Sequence, residues 1–90
     1  MEIEFDPAKD AANIAKHGVS LALAVEMDFD TAVVVADDRK NYGEDRFRAF
    51  GIIGGRAYTF CLVFTLRGEV VRVISLRRAN RREIALYAPS

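Results

Sequence analysis

The sequence predicts an α+β fold: a small antiparallel β-sheet, two N-terminal helices packed on it and a short C-terminal helix, in the order β-α-α-β-β-β-β-α. Three observations predict it. Helix-start and helix-stop signals crowd into the first third of the chain. From residue 31 to 76 the chain is β-branched, apolar or alternating, and glycine-containing turns break it. A helix-capping pattern then follows at Asn80. Ninety residues with a hydrophobic fraction of 51% make one domain with one core. There is no repeat, linker or low-complexity segment.

The elements follow in order. Residues 2–5 (EIEF) alternate and read as a short strand. Asp6 can cap a helix whose first position suits Pro7, and Gly18 is the left-handed residue that stops it after His17. Ser20 caps a second helix over residues 21–27. Residues 31–36 are β-branched and apolar, hence a strand. Residues 37–45 are polar and read as a loop. Residues 46–53 alternate as a strand up to Gly54-Gly55, a hairpin signal. Residues 56–65 are nearly all apolar, as a central strand covered on both faces would be. Leu66-Arg67-Gly68 turns the chain into a last strand, 69–76. Asn80 and Glu83 have capping-box spacing and open a final helix to about Tyr87.

Charge is divided along the chain. Residues 1–45 carry eleven acids against four bases, and residues 46–90 carry nine arginines against two glutamates. The formal net charge of zero hides two halves of −7 and +7. Six arginines, from Arg67 to Arg82, fall in the run RGEVVRVISLRRANRR. A surface this rich in guanidinium suits phosphate, and a polyanion on that side is the natural partner. Arg77 is the first charge on its face of the last strand. Arg81 and Arg82 fall in the first helical turn, where cations oppose the helix dipole unless an anion joins them. Arg46 and Arg48 share a parity and extend the basic surface across the sheet, or are simply an exposed strand face.

In the first helix Lys9, Asn13 and Lys16 lie within about 60° of one another, with His17 at the edge of the stripe. Ala8, Ala11, Ala12 and Ala15 take the other side, small enough to pack close to the sheet. The stripe can be phosphate-facing or acid–base, but periodicity alone favours an ordinary solvated face with a histidine at the helix end. Contacts to such a polyanion would fall on Lys9, Asn13, Arg48, Arg81 and Arg82; if it is a nucleic acid, these are its binding residues. Tyr58 reads as packing; Tyr87 can pack, stack on a base or donate a proton. Lone Cys61 sits in TFCLVF and reads as an inert buried thiol. One Cys and one His exclude the usual four-ligand zinc site. The glycines at 51–55 precede no helix, so no nucleotide-cofactor loop is present and no cofactor or metal is expected. No apolar run approaches the ~18 residues of a membrane span, and the acidic start is unlike a signal peptide. The simplest compartment is the cytoplasm.

Taken together, several segments resemble a known family. They are FDPAK at 5–9, NIAKHGVS at 13–20, GEDR at 43–46 and VISLRRANRRE at 73–83, with Tyr87 beyond. In order and spacing they are similar to the BrnT toxins of bacterial type II toxin–antitoxin systems. The resemblance implies a RelE-like fold, a ribonuclease that inhibits translation and growth, and an antitoxin of the BrnA type with a DNA-binding ribbon-helix-helix domain. It also implies a heterotetramer that reaches operator DNA through the antitoxin. The family's functional surface maps onto Lys16, His17, Glu44, Arg46, Arg77, Arg78 and Tyr87. With no metal-ligand cluster in the sequence, the expected chemistry is attack of a ribose 2′-hydroxyl on the adjacent phosphate. Arg46, Arg77 and Arg78 would stabilise the developing charge, Glu44 or Lys16 would be the base, and His17 or Tyr87 the acid. The competing class is a non-catalytic RNA-binding or protein-interaction module that acts only within a repressor complex.

Overall fold

Five strands, two α-helices and one 3₁₀ helix occupy residues 1–88, the part of the chain that the computed structural model describes. In chain order they are β1 (Ile3–Glu4), α1 (Pro7–His17), the 3₁₀ helix (Leu21–Glu26), β2 (Val33–Ala36), β3 (Phe47–Ile52), β4 (Thr59–Arg67), β5 (Val70–Arg78) and α2 (Arg81–Tyr87). The α+β class agrees with the sequence reading. The sheet order is β1-β5-β4-β3-β2. Among the described residues, no helix is long and apolar enough to cross a membrane.

The sheet is mixed, not purely antiparallel. β2 to β5 form an antiparallel meander, but β1 joins the outer edge of β5 in parallel, with Ile3 opposite Val71 and Glu4 opposite Arg72. A two-residue strand whose partner lies across the whole domain carries no sign of its direction in its own pattern. The second helix is a 3₁₀ turn rather than an α-helix. It is pinned at both ends, by the Ser20 cap and by the bridge from Met27 to Ile53, and short pinned connectors commonly take this tighter winding. That bridge also corrects the expected Gly54-Gly55 hairpin. Ile53 is drawn across to Met27, so the return strand starts only at Thr59, which pairs with Ile52. β4 and β5 run on to the hairpin at Gly68-Glu69, and β5 continues through Arg78 rather than ending at Leu76.

α1 starts and stops as its sequence dictates. The Asp6 carboxylate accepts from Ala8 N–H at 2.8 Å, Pro7 opens the helix, and Gly18 ends it at φ 75°. Its buried face differs from the expected one. Ala8, Ala11, Ala12 and Ala15 are exposed, and the one buried residue is Asn13. β1 is too short to cover the edge of β5, and Asn13 fills the gap. Its amide donates to Leu76 C=O at 2.8 Å and to Val19 C=O at 2.9 Å, and accepts from Leu76 N–H at 3.2 Å. Asp10 beside it accepts from Ser20 Oγ and Leu21 N–H. α1 is therefore fastened by polar groups and supplies little apolar area.

The main core lies between the sheet and the 3₁₀ helix, built from Leu21, Ala24, Met27, Ile53, Phe60, Leu62, Phe64, Val73 and Leu76. A smaller cluster of Phe50, Cys61 and Val63 occupies the opposite face, under Tyr87. Cys61 is fully buried, and burial pushes its thiol pKa up, as the inert-thiol reading requires.

Candidate functional site

Phe50, Cys61 and Arg77 are register partners across β3, β4 and β5 and share the second face. α2 leaves the end of β5 and crosses this face toward β3. It buries Tyr87 against Phe50 in a stack with centroids 4.6 Å apart. The crossing carries Glu83 over the strands, where Arg77 grips it. Arg77 Nη1 donates to Glu83 Oε1 at 2.7 Å and Nη2 to Oε2 at 2.8 Å. The same carboxylate closes the capping box, accepting from Asn80 N–H at 2.9 Å, while Asn80 Oδ1 accepts from Glu83 N–H at 2.8 Å. Glu83 is 8% exposed. The Arg77 hydrogen bonds and the Asn80 N–H pull its pKa down to about 2. Spacing alone gives Glu83 a capping role; its reach to Arg77 depends on the path of α2, which no local pattern shows.

Arg48 lies beside this pair, its side chain 15% exposed and Nη1 4.0 Å from Glu83 Oε2. Its guanidinium lies beside the stacked rings of Phe50 and Tyr87, 5.5 Å and 5.8 Å from their centroids. Arg39 comes in from the 37–46 loop and is held to the buried Asp37 by bonds of 2.7 Å and 2.8 Å. Those bonds lower the Asp37 pKa. Arg39, Arg48, Arg82, Glu83 and Tyr87 line a cavity of about 320 Å³. In the sequence Arg39 is only a charge in a polar loop, and nothing there marks it for this site.

On the other side of Arg77, at the outer edge of β5, α1 presents Lys9, Lys16 and His17 around a shallow cavity of about 200 Å³ floored by Ile74 and Ser75. Burial, then the positive charges of Lys16 and Arg77, lower the His17 pKa. The shift favours the neutral imidazole, the form able to accept a proton.

The expected catalytic set is thus divided. Lys16 and His17 lie at the outer edge of β5, which carries Arg77, whereas Tyr87 lies over Phe50 of β3, two strands away. Glu44 and Arg46 pair with each other at 3.2 Å, with Arg46 4.0 Å above the Tyr42 ring, in a separate cavity of the 37–46 loop. Arg46 precedes the Phe47–Phe64 pair, whereas Arg77 lies opposite Cys61. Strand geometry puts their backbones roughly 15 Å apart. Arg78, opposite Phe60, points to the other face from Arg77, and its guanidinium lies 3.6 Å over the ring of Tyr58. Tyr58 is exposed rather than packed in the core, because its strand begins only at Thr59. Asn13, expected on the open stripe, is buried with its amide engaged by backbone. Arg81 is exposed on the first turn of α2.

A family model described as the ribonuclease toxin BrnT of type II toxin–antitoxin systems matches residues 5–83. The match spans α1, the whole meander and the Arg77–Glu83 clamp. No curated protein matches the chain.

Proposed function

The chain belongs to the BrnT family of ribonuclease toxins of type II toxin–antitoxin systems, and we propose that it cuts RNA without a metal ion, by attack of a ribose 2′-hydroxyl on the neighbouring phosphate. The observation that carries this reading is the placing of His17 at the outer edge of β5, within electrostatic reach of a guanidinium fixed by a carboxylate, Arg77. His17 takes the 2′-hydroxyl proton as the oxygen bonds to phosphorus. Arg77 stabilises the charge that builds on the phosphoryl oxygens. The P–O5′ bond breaks, and the leaving oxygen takes its proton from solvent, since Tyr87 is stacked on Phe50 of β3, two strands from this centre. The products are a cyclic phosphate and a free 5′-hydroxyl. Lys16 and Lys9 hold the chain along the edge of β5. Glu44 and Arg46 are left to contacts outside this centre.

The reading predicts that His17→Ala lowers cleavage far more than Lys9→Ala. A proton-transfer group typically contributes 10²–10⁴ in rate. The acid limb of the pH–rate profile should fall below the ordinary imidazole pKa of about 6.5, because the group must be neutral to act. Equal cleavage by the two variants, or a profile with no acid limb, would remove His17 from the chemistry.

A type II toxin implies an antitoxin. We take the partner to be of the BrnA type, with two toxins flanking a ribbon-helix-helix dimer that carries the complex to operator DNA. The acidic half of the chain, net −7 over residues 1–45, offers such a basic partner a surface. Light scattering on the product of co-expression with the neighbouring reading frame should give the mass of a two-plus-two complex; a one-plus-one mass would contradict it.

A further inference from the structure

We infer that the cavity between the 37–46 loop, β3 and α2 is a phosphate subsite, which takes a backbone phosphate of the RNA other than the one that is cut. This rests on the nuclease reading only for the identity of the polyanion. Three arginines from three separate elements line the cavity: Arg39, Arg48 and Arg82. With Arg77, four guanidiniums gather here, and among the described residues the carboxylates bonded to them are Asp37 and Glu83 alone. Both carboxylates are committed: Asp37 binds Arg39 through both oxygens, and Glu83 binds Arg77 through both.

Arg48 and Arg82 are left without a hydrogen-bonded carboxylate among the described residues, and Arg48 is the more buried of the two. Its side chain is largely buried, its Nε is fully buried with no hydrogen-bond partner, and Glu83 stands 4.0 Å away, beyond hydrogen-bond reach. A buried charge without full compensation is costly, and it is kept where a ligand completes it. An anion in the cavity would supply what Arg48 lacks. Arg82 is exposed at the rim, free to close over it. Leu86 and Tyr87 form an apolar wall that suits the ribose or base attached to a phosphate. The cutting centre lies at the outer edge of β5, and this cavity lies toward β3, two strands or about 10 Å across the sheet. That is the scale of a step or two along an RNA backbone.

The test uses a 2′-O-methyl oligoribonucleotide, which presents the phosphates but cannot be cut by 2′-hydroxyl attack. Its affinity for the folded protein is read by fluorescence anisotropy. Arg48→Met and Arg82→Gln should each weaken binding roughly tenfold. Arg56→Gln, on an exposed loop beside the 3₁₀ helix, should change it less than about twofold. Sodium phosphate should compete better than sodium chloride of equal ionic strength, and only while Arg48 and Arg82 are present. Arg82 is a surface residue, so its variant tests the idea even if Arg48→Met folds poorly. Unchanged affinity in Arg82→Gln, or an equal loss in Arg56→Gln, would overturn the subsite. Binding that depends on Arg48 and Arg82, in a protein that fails to cut the matching 2′-hydroxyl RNA, would uphold the subsite and defeat the cleavage mechanism instead.

Discussion

Arg77→Met should reduce RNA cleavage by roughly 10²–10³ and should also lower stability by about 3–5 kcal/mol. Two different roles produce the two losses. The first follows from the charge-stabilising role proposed for the guanidinium. The second follows from Glu83, whose buried carboxylate loses the partner that holds it at 2.7 Å and 2.8 Å. A cost of that size is a large part of the total stability of a small domain, typically about 5–15 kcal/mol. The single variant therefore confounds folding with chemistry. Arg77→Met combined with Glu83→Gln separates them. The new amide is neutral, so no charge is stranded, and a glutamine at the third helical position still completes a capping box. The double variant should regain much of the lost stability and none of the cleavage. Recovery of cleavage in the double variant would show that Arg77 acts only by holding Glu83.

The same pair sets an acid limit on the fold. The Glu83 pKa is about 2 in the folded chain, against 4.5 for an unperturbed carboxyl. A folded pKa that is depressed gives stability that is present above about pH 4.5 and is lost as pH falls toward 2. The shift corresponds to roughly 3 kcal/mol. Urea titrations at pH 7 and pH 3 should show the wild type losing much of this increment and Arg77→Met losing little, since its Glu83 has no ion pair left to break.

Asn13→Ala should cost about 2–4 kcal/mol, with unfolding rather than substrate affinity as the readout. Asn13 satisfies both the N–H and the C=O of Leu76 on a stretch of the β5 edge beyond the reach of β1, and it also ties down Val19. Removing it strands buried backbone groups and releases α1, which has little apolar area against the sheet to hold it in place. Asn13→Asp should be little better, because a carboxylate cannot donate to either carbonyl. A variant as stable as the wild type but with a raised KM for RNA would return Asn13 to the nucleic-acid surface.

Signals that are local are legible in the sequence. Asp6-Pro7, Gly18, Ser20 and the Asn80–Glu83 box each fix a helix end by chemistry that needs no distant residue, and α1 and α2 lie where these residues put them. The meander is legible because β-branched and alternating segments follow one another closely. What stays hidden depends on contacts between remote segments. The parallel pairing of β1 needs β5, and the delayed return after β3 needs the Met27–Ile53 bridge. The buried side of α1 misleads for a physical reason. Helical periodicity marks alanines as the packing face, but here the helix meets an open strand edge, which demands hydrogen bonds rather than area.

The candidate site divides in the same way. Arg77, Lys16, His17 and Tyr87 stand out by residue type and position. The grouping of Arg78 with Arg77 fails, since neighbours on a strand point to opposite faces. Glu83 and Arg39, which orient and enlarge the arginine cluster, carry no pattern of their own that points to it. They become visible once α2 and the 37–46 loop are seen to converge over β3.

Whether these side chains cut RNA unaided is decided by the metal requirement and the product ends. Purified wild-type protein is incubated with a defined RNA in excess EDTA, and the ends of the products are identified. The account predicts cleavage at an undiminished rate, leaving a 2′,3′-cyclic phosphate on one fragment and a 5′-hydroxyl on the other. Cleavage that needs added divalent ions, products with a 5′-phosphate, or RNA that stays intact would contradict it.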